Sequence, residues 1–165
     1  MKNVVLLGST GSIGTSTVKV AEDLPDQVRL IGLAAGGNVG LLAEQTQAHH
    51  PSTISIADET LLPELSKCIP DTVEIYSGDE GLIRLATLPE ADIVLIAIVG
   101  TAGLKPALAA IRAGKDIAVA SKEILVMAGE IVMREAREYG VKVLAVDSEH
   151  SAIFQCWDGK PVESI

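Results

Sequence analysis

The apolar run Asn3-Val4-Val5-Leu6-Leu7 breaks at Gly8, and glycines recur at positions 11 and 14 before an amphipathic stretch begins. Glycine allows the sharp reversal that takes a buried strand into a helix, and the free N–H groups at a helix start bind anions. The spacing Gly8-x-x-Gly11-x-x-Gly14 at such a junction reads as a phosphate-binding turn of the dinucleotide type, one residue longer at the front than G-x-G-x-x-G. Gly8, Gly11 and Gly14 would shape it, with the hydroxyls of Ser9, Thr10 and Ser12 as further donors. A plain strand-to-helix glycine turn is the bland alternative, and the position at the first such junction favours the nucleotide.

The rest of the chain repeats the alternation. Short Val/Ile/Leu runs predict strands at about 3–7, 28–34, 53–57, 92–97, 116–119 and 141–146, with helices between them at about 12–23, 38–48, 59–67, 78–87, 101–112 and 121–139. Strand and helix in strict succession imply right-handed crossovers. The expected fold is α/β, Rossmann-like and doubly wound: a mostly parallel sheet with helices on both faces. With 48% hydrophobic but only 2% aromatic residues, the core must be built from Val, Ile, Leu and Ala, which suits a sheet buried on both sides. Arg112 and Gly114 mark one helix end and Gly140 another. Ser121 is a candidate cap for the last helix, with Ile124, Leu125, Ala128, Ile131 and Val132 on one face.

The 165 residues carry a net charge of −9 and no basic run, which argues against nucleic acid and anionic membrane as partners. The apolar stretch Ile93 to Val99 is too short to span a bilayer. Cys68 and Cys156 have no metal-type spacing and read as reduced thiols in a cytoplasmic protein. The second strand ends Leu33-Ala34-Ala35-Gly36-Gly37-Asn38, without the carboxylate that would bond a ribose 2′-hydroxyl, so a 2′-phosphate is not repelled and NADP is favoured over NAD.

Two further segments sit at carboxyl ends of strands, where open α/β sheets place their ligands. In Val146-Asp147-Ser148-Glu149-His150, Asp147 and Glu149 are two residues apart and can converge on one cation, Mg²⁺ or Mn²⁺ by their oxygen donors. Helix capping by Asp147 or Ser148, with Glu149 in the first turn, explains them equally well. Lys122, in Ser121-Lys122-Glu123, occupies a first helical turn that is mildly unfavourable for a cation unless it meets an anionic substrate.

Leu7-Gly-Ser-Thr-Gly-Ser-Ile-Gly14, Ala97-Ile-Val-Gly100, Ile111-Arg-Ala-Gly-Lys115, Ser121-Lys-Glu123, Val146-Asp-Ser-Glu-His150 and Ala152-Ile-Phe-Gln155 together resemble the 1-deoxy-D-xylulose 5-phosphate reductoisomerase family along essentially the whole chain. The resemblance implies NADPH contacts at Thr10, Gly11, Ser12, Ile13, Gly36, Gly37, Asn38, Ser121 and Glu123. It implies substrate contacts at Lys122, Ser148 and Glu149, metal ligation by Asp147 and Glu149, and catalytic roles for Lys122 and Glu149. Many members carry a basic residue at Gly37 and Asn at Ser121. The implied reaction is rearrangement of a phosphorylated ketose followed by hydride transfer from NADPH, in isoprenoid biosynthesis. Residues 1–150 would form the NADP-binding domain and 151–165 the start of a catalytic domain, truncated before a third metal carboxylate. Weak metal binding and negligible turnover are then expected of this chain, and a homodimer of the full-length protein. The rivals are another NADP reductase, such as a semialdehyde or homoserine dehydrogenase, and a non-catalytic NADPH-binding module.

Overall fold

The computed structural model, which describes residues 1–146 and residues 152, 153 and 156, turns each apolar run into a parallel strand. In chain order the elements are β1 (Lys2–Leu7), α1 (Ser12–Asp23), β2 (Val28–Ala35), α2 (Val39–His49), β3 (Thr53–Ile56), a 3-10 turn (Glu59–Leu61), α3 (Leu62–Cys68), β4 (Glu74–Ser77), α4 (Gly78–Ala86), β5 (Ile93–Ile96), α5 (Leu104–Arg112), β6 (Asp116–Val119), α6 (Lys122–Tyr139) and β7 (Val143–Ala145). Among the described residues these strands form one sheet of order β4-β3-β2-β1-β5-β6-β7, and every pairing is parallel.

Strand alternation divides the core in two. Val5 and Leu7 of β1 face one side with Val94, Ile96, Ile117 and Val119, against Leu85 of α4, Ile111 of α5 and Val132 of α6. Val4 and Leu6 face the other side with Leu30, Leu33 and Leu95, against Val18 of α1, Leu42 of α2 and Leu65 of α3. Both faces of the central strands are thus covered, which is why their sequences are apolar throughout rather than alternating. Each buried Leu or Ile contributes about 1.5–3 kcal/mol of transfer free energy.

Three details differ from the sequence reading. Strand β4 was not anticipated: Glu74-Ile75-Tyr76-Ser77 lies on the sheet edge, half-exposed, so its pattern is mixed rather than apolar. The single helix expected at 59–67 is a 3-10 turn, capped by Asp58 accepting from the Thr60 N–H, followed by α3 with a proline in its first turn. Ile131, expected on the buried face of α6, is 41% exposed, while Glu135 on that helix is buried. Gly114 and Gly140 do follow the ends of α5 and α6, as expected.

Glu135 is buried because Arg112 reaches it. The guanidinium Nε and Nη2 donate to the two carboxylate oxygens at 2.8 and 2.7 Å, clasping α5 to α6. That bidentate bond holds the guanidinium pKa above its ordinary range. Removing one partner of such a pair leaves a desolvated charge, whereas replacing both by apolar groups does not. Arg112→Met should therefore lower the melting temperature more than the Arg112→Met/Glu135→Leu double variant, as read by thermal unfolding. Equal losses would remove the pair from the account.

Candidate functional site

The order of strands reverses beside β1: β2, β3 and β4 lie on one side of it and β5, β6 and β7 on the other. A crevice opens at that point, outside the carboxyl ends of the strands, where open α/β sheets bind ligands. The Gly8–Gly14 turn forms its floor. The N–H groups of Gly8 and Ser9 both donate to Ala34 O of β2, at 2.9 and 2.8 Å. Gly8 sits at φ +99°, and a Cβ there would lie 2.5 Å from Ala97 O at the end of β5. Gly14 is buried beneath the turn, and a Cβ there would lie 2.6 Å from the carbonyl carbon and oxygen of Ser9. Gly11, the N-cap of α1, is exposed, with ordinary φ −81°. Among the described residues, no acceptor is found for the N–H groups of Thr10, Ser12 or Ile13. Three backbone donors are thereby left for an anion.

Two cavities meet over this turn. One, of about 340 Å³, runs along β2 and β5 and is lined by Gly8, Thr10, Gly11, Gly36, Asp79 and Leu82, among others. The other, of about 220 Å³, has Gly11, Ser12 and Ile13 on one side and Ser121, Lys122 and Glu123 on the other. Residues more than a hundred positions apart in sequence therefore share one crevice, because parallel connections bring every carboxyl strand end to the same edge. Gly37 and Asn38 follow Gly36 at the start of α2 and are exposed. Asn38 is the N-cap, its Oδ1 accepting from the Leu41 N–H at 3.1 Å.

Some expectations need correcting. The Ser9 hydroxyl is fully buried, without a partner among the described residues, and lines neither cavity, so it is no donor to a ligand. Ser121 does not cap α6 through its side chain. Its hydroxyl instead lies 3.1 Å from Gly100 O and 2.8 Å from Glu123 Oε2. Glu123 is held below the ordinary glutamate pKa, first by its own backbone N–H and then by this hydroxyl. Gly14 lines neither cavity either; it acts by letting α1 approach the turn. Asp147, Ser148, Glu149 and His150 lie outside the described residues. Among the described residues, no group of three or more His, Cys, Asp or Glu side chains could hold a metal ion.

Sequence reasoning overlooked Ala57, Asp79 and Leu82 on the wall of the larger cavity. Asp79 opens α4 and pairs with Lys105 at 2.7 Å. Locating it required β4, whose half-polar edge pattern gave no strand signal.

Comparison with known proteins agrees with this geometry. The family model described as 1-deoxy-D-xylulose 5-phosphate reductoisomerase matches residues 4–129. The chain is 49% identical to the 1-deoxy-D-xylulose 5-phosphate reductoisomerase of Synechococcus sp. strain CC9605, over 98% of this chain and 40% of that protein. It is also 49% identical to the chloroplastic enzyme of Mentha piperita, over 97% of this chain and 35% of that one. The Zymomonas mobilis enzyme, solved in complex with NADPH, superposes with a TM-score of 0.89 at 43% identity, over 94% of this chain and 41% of that chain. A homoserine dehydrogenase from Thiobacillus denitrificans superposes at 0.61 with 19% identity, which shows a shared fold alone. The chain thus spans about 40% of the length of the curated relatives it matches. By the match over residues 4–129 it belongs to the 1-deoxy-D-xylulose 5-phosphate reductoisomerase family.

Proposed function

We propose that this chain is the NADPH-binding part of an enzyme that converts 1-deoxy-D-xylulose 5-phosphate to 2-C-methyl-D-erythritol 4-phosphate in non-mevalonate isoprenoid biosynthesis. The observation that carries the reading is the Gly8–Gly14 turn, where the Thr10, Ser12 and Ile13 N–H groups lack acceptors among the described residues, beside a crevice at the reversal of strand order. A dinucleotide fits it: glycine at 11 leaves the backbone open to a pyrophosphate, and those amides meet its oxygens with the positive end of α1 behind them. NADPH, when bound, supplies a hydride.

Gly36, Gly37 and Asn38 would receive the adenosine ribose and its 2′-phosphate at the start of α2. The uncharged end of β2 supports the phosphorylated cofactor. Across the smaller cavity, Ser121 and Glu123 would meet the other end of the dinucleotide, with their mutual bond fixing the wall. Lys122, exposed beside them, would hold and orient the anionic substrate. Ser148 would bind substrate, and Asp147 and Glu149 would hold Mg²⁺ or Mn²⁺. A similar structure solved in complex with NADPH, fosmidomycin and magnesium supports that cation. We assign residues 1–150 to the nucleotide domain and 151–165 to the start of a catalytic domain. The partner is a small phosphorylated sugar rather than nucleic acid, and the whole protein is a homodimer. Among the described residues, no helix is long and apolar enough to cross a membrane. The unpaired Cys68 and Cys156 support a reducing, cytoplasmic setting.

Titrating the chain with NADPH and NADH tests the reading. NADPH should bind at least about tenfold more tightly, or roughly 1.4 kcal/mol. Equal affinities, or no saturable binding of either, would overturn it.

A further inference from the structure

Gln45 is out of place by composition. It sits within α2 at 5% exposure, flanked on the helix by buried Leu42, Ala43 and Thr46. An amide in such a core is costly unless its hydrogen bonds are met. Half of them are not, since Oε1 has no partner among the described residues. The other half crosses to the phosphate-binding turn: Nε2 donates to Ser9 O at 3.0 Å, 36 residues away and buried.

That bond has a geometric consequence. The Ser9 N–H is already tied to Ala34 O at 2.8 Å, so Gln45 fixes the residue's remaining backbone group. No cis peptide occurs among the described residues. In a trans peptide the carbonyl and the next N–H point in opposite directions. With the Ser9 carbonyl held toward α2, the Thr10 N–H is turned away from it, and Thr10 lines the larger cavity with no acceptor for that N–H among the described residues. We infer that Gln45 is a positioning residue for the cofactor: it locks the Ser9–Thr10 peptide with its N–H, not its carbonyl, toward the nucleotide diphosphate. Without it the peptide can turn over and present a carbonyl oxygen to phosphate. This inference rests on the proposed NADPH site.

The test compares wild type, Gln45→Met and Gln45→Glu, each as the whole chain. Gln45→Met keeps the shape and removes the donor. It should bind NADPH about tenfold more weakly, the effect of losing one oriented donor to an ionised group. It should bind adenosine 2′-monophosphate, which lacks the diphosphate, as wild type does. A merely structural role would weaken both ligands alike. Gln45→Glu adds a readout that packing does not move. Its carboxylate cannot donate to Ser9 O, whereas its protonated form can. The ratio of wild-type to variant affinity for NADP⁺ should therefore narrow as pH falls from about 8 to about 5.5. Equal weakening of both ligands, unchanged NADPH affinity in Gln45→Met, or a ratio flat with pH would each overturn the inference. Should Gln45→Met fail to fold, the pH profile of Gln45→Glu decides. Failure of the wild-type chain to bind NADPH would remove the proposed function itself, whereas an indifferent variant beside a binding wild type removes only the role of Gln45.

Discussion

Gly14→Ala should lower the melting temperature by about 6–12 °C, equivalent to roughly 3 kcal/mol for a chain of this size. The added methyl would fall on Gly8 O and lie 2.6 Å from Ser9 C and O. These are backbone atoms, and they are pinned. The Gly8 and Ser9 N–H groups share Ala34 O, and the Ser9 carbonyl is held by Gln45. The turn therefore cannot give way, and α1 must be levered off the sheet, carrying Val18 and Ala21 out of the core. Gly8→Ala should be at least as damaging. It meets Ala97 O at 2.5 Å and must also adopt φ +99°, a region costly for any residue with a Cβ. Thermal and urea unfolding measure both. A loss below about 1 kcal/mol in either variant would mean that the turn can relax in a way its hydrogen bonds do not suggest.

How much of this was legible beforehand depends on what each residue's pattern reports. Buried parallel strands advertise themselves, because both faces must be apolar; β1 and β2 were therefore found with nearly their true bounds, and β6 with its actual bounds. Strand β4 was invisible because an edge strand has one solvated side, and Glu74-Ile75-Tyr76-Ser77 carries as much polar as apolar character. The helix expected at 59–67 failed at Pro63, whose missing N–H suits a helix start and not its interior. The glycine turn and Ser121-Lys122-Glu123 were recognisable as site segments because each follows a strand. That they face each other across one cavity follows from topology, which the strand-helix alternation had already implied. Tertiary hydrogen bonds left no such trace. Nothing local distinguishes Gln45 from a solvated helix glutamine, or Ser9 from a hydroxyl aimed at phosphate. Both are settled by burial. Glu135 adds a conflict of signals: periodicity puts it on the buried face of α6 beside Ala128 and Val132, its charge argues for solvent, and Arg112, 23 residues earlier, resolves the matter.

Gly11→Ala should behave in the opposite way to its two neighbours: fold intact, nucleotide lost. A Cβ at Gly11 meets only Gly8 O, at 3.5 Å, which is ordinary contact. Its φ of −81° suits alanine as well as glycine. The remaining stability cost is that of a poorer N-cap residue, at most about 1 kcal/mol. The melting temperature should thus move by only about 2–4 °C. The methyl projects from an exposed residue that borders both cavities, where the proposed pyrophosphate comes closest to the backbone. Phosphate oxygens cannot keep hydrogen-bond distance to the Ser12 and Ile13 amides with a carbon standing between, because such bonds fail beyond about 3.2 Å. Losing two charge-assisted bonds of about 1.5 kcal/mol or more each predicts NADPH affinity lower by roughly a hundredfold. The pairing is what makes the experiment decisive. If Gly14→Ala destabilises the fold and Gly11→Ala spares it while abolishing NADPH binding, the first glycine is present for packing and the second for the ligand. If Gly11→Ala binds NADPH like wild type, the pyrophosphate does not lie over this turn, and the assignment of Thr10, Ser12 and Ile13 as its donors falls with it.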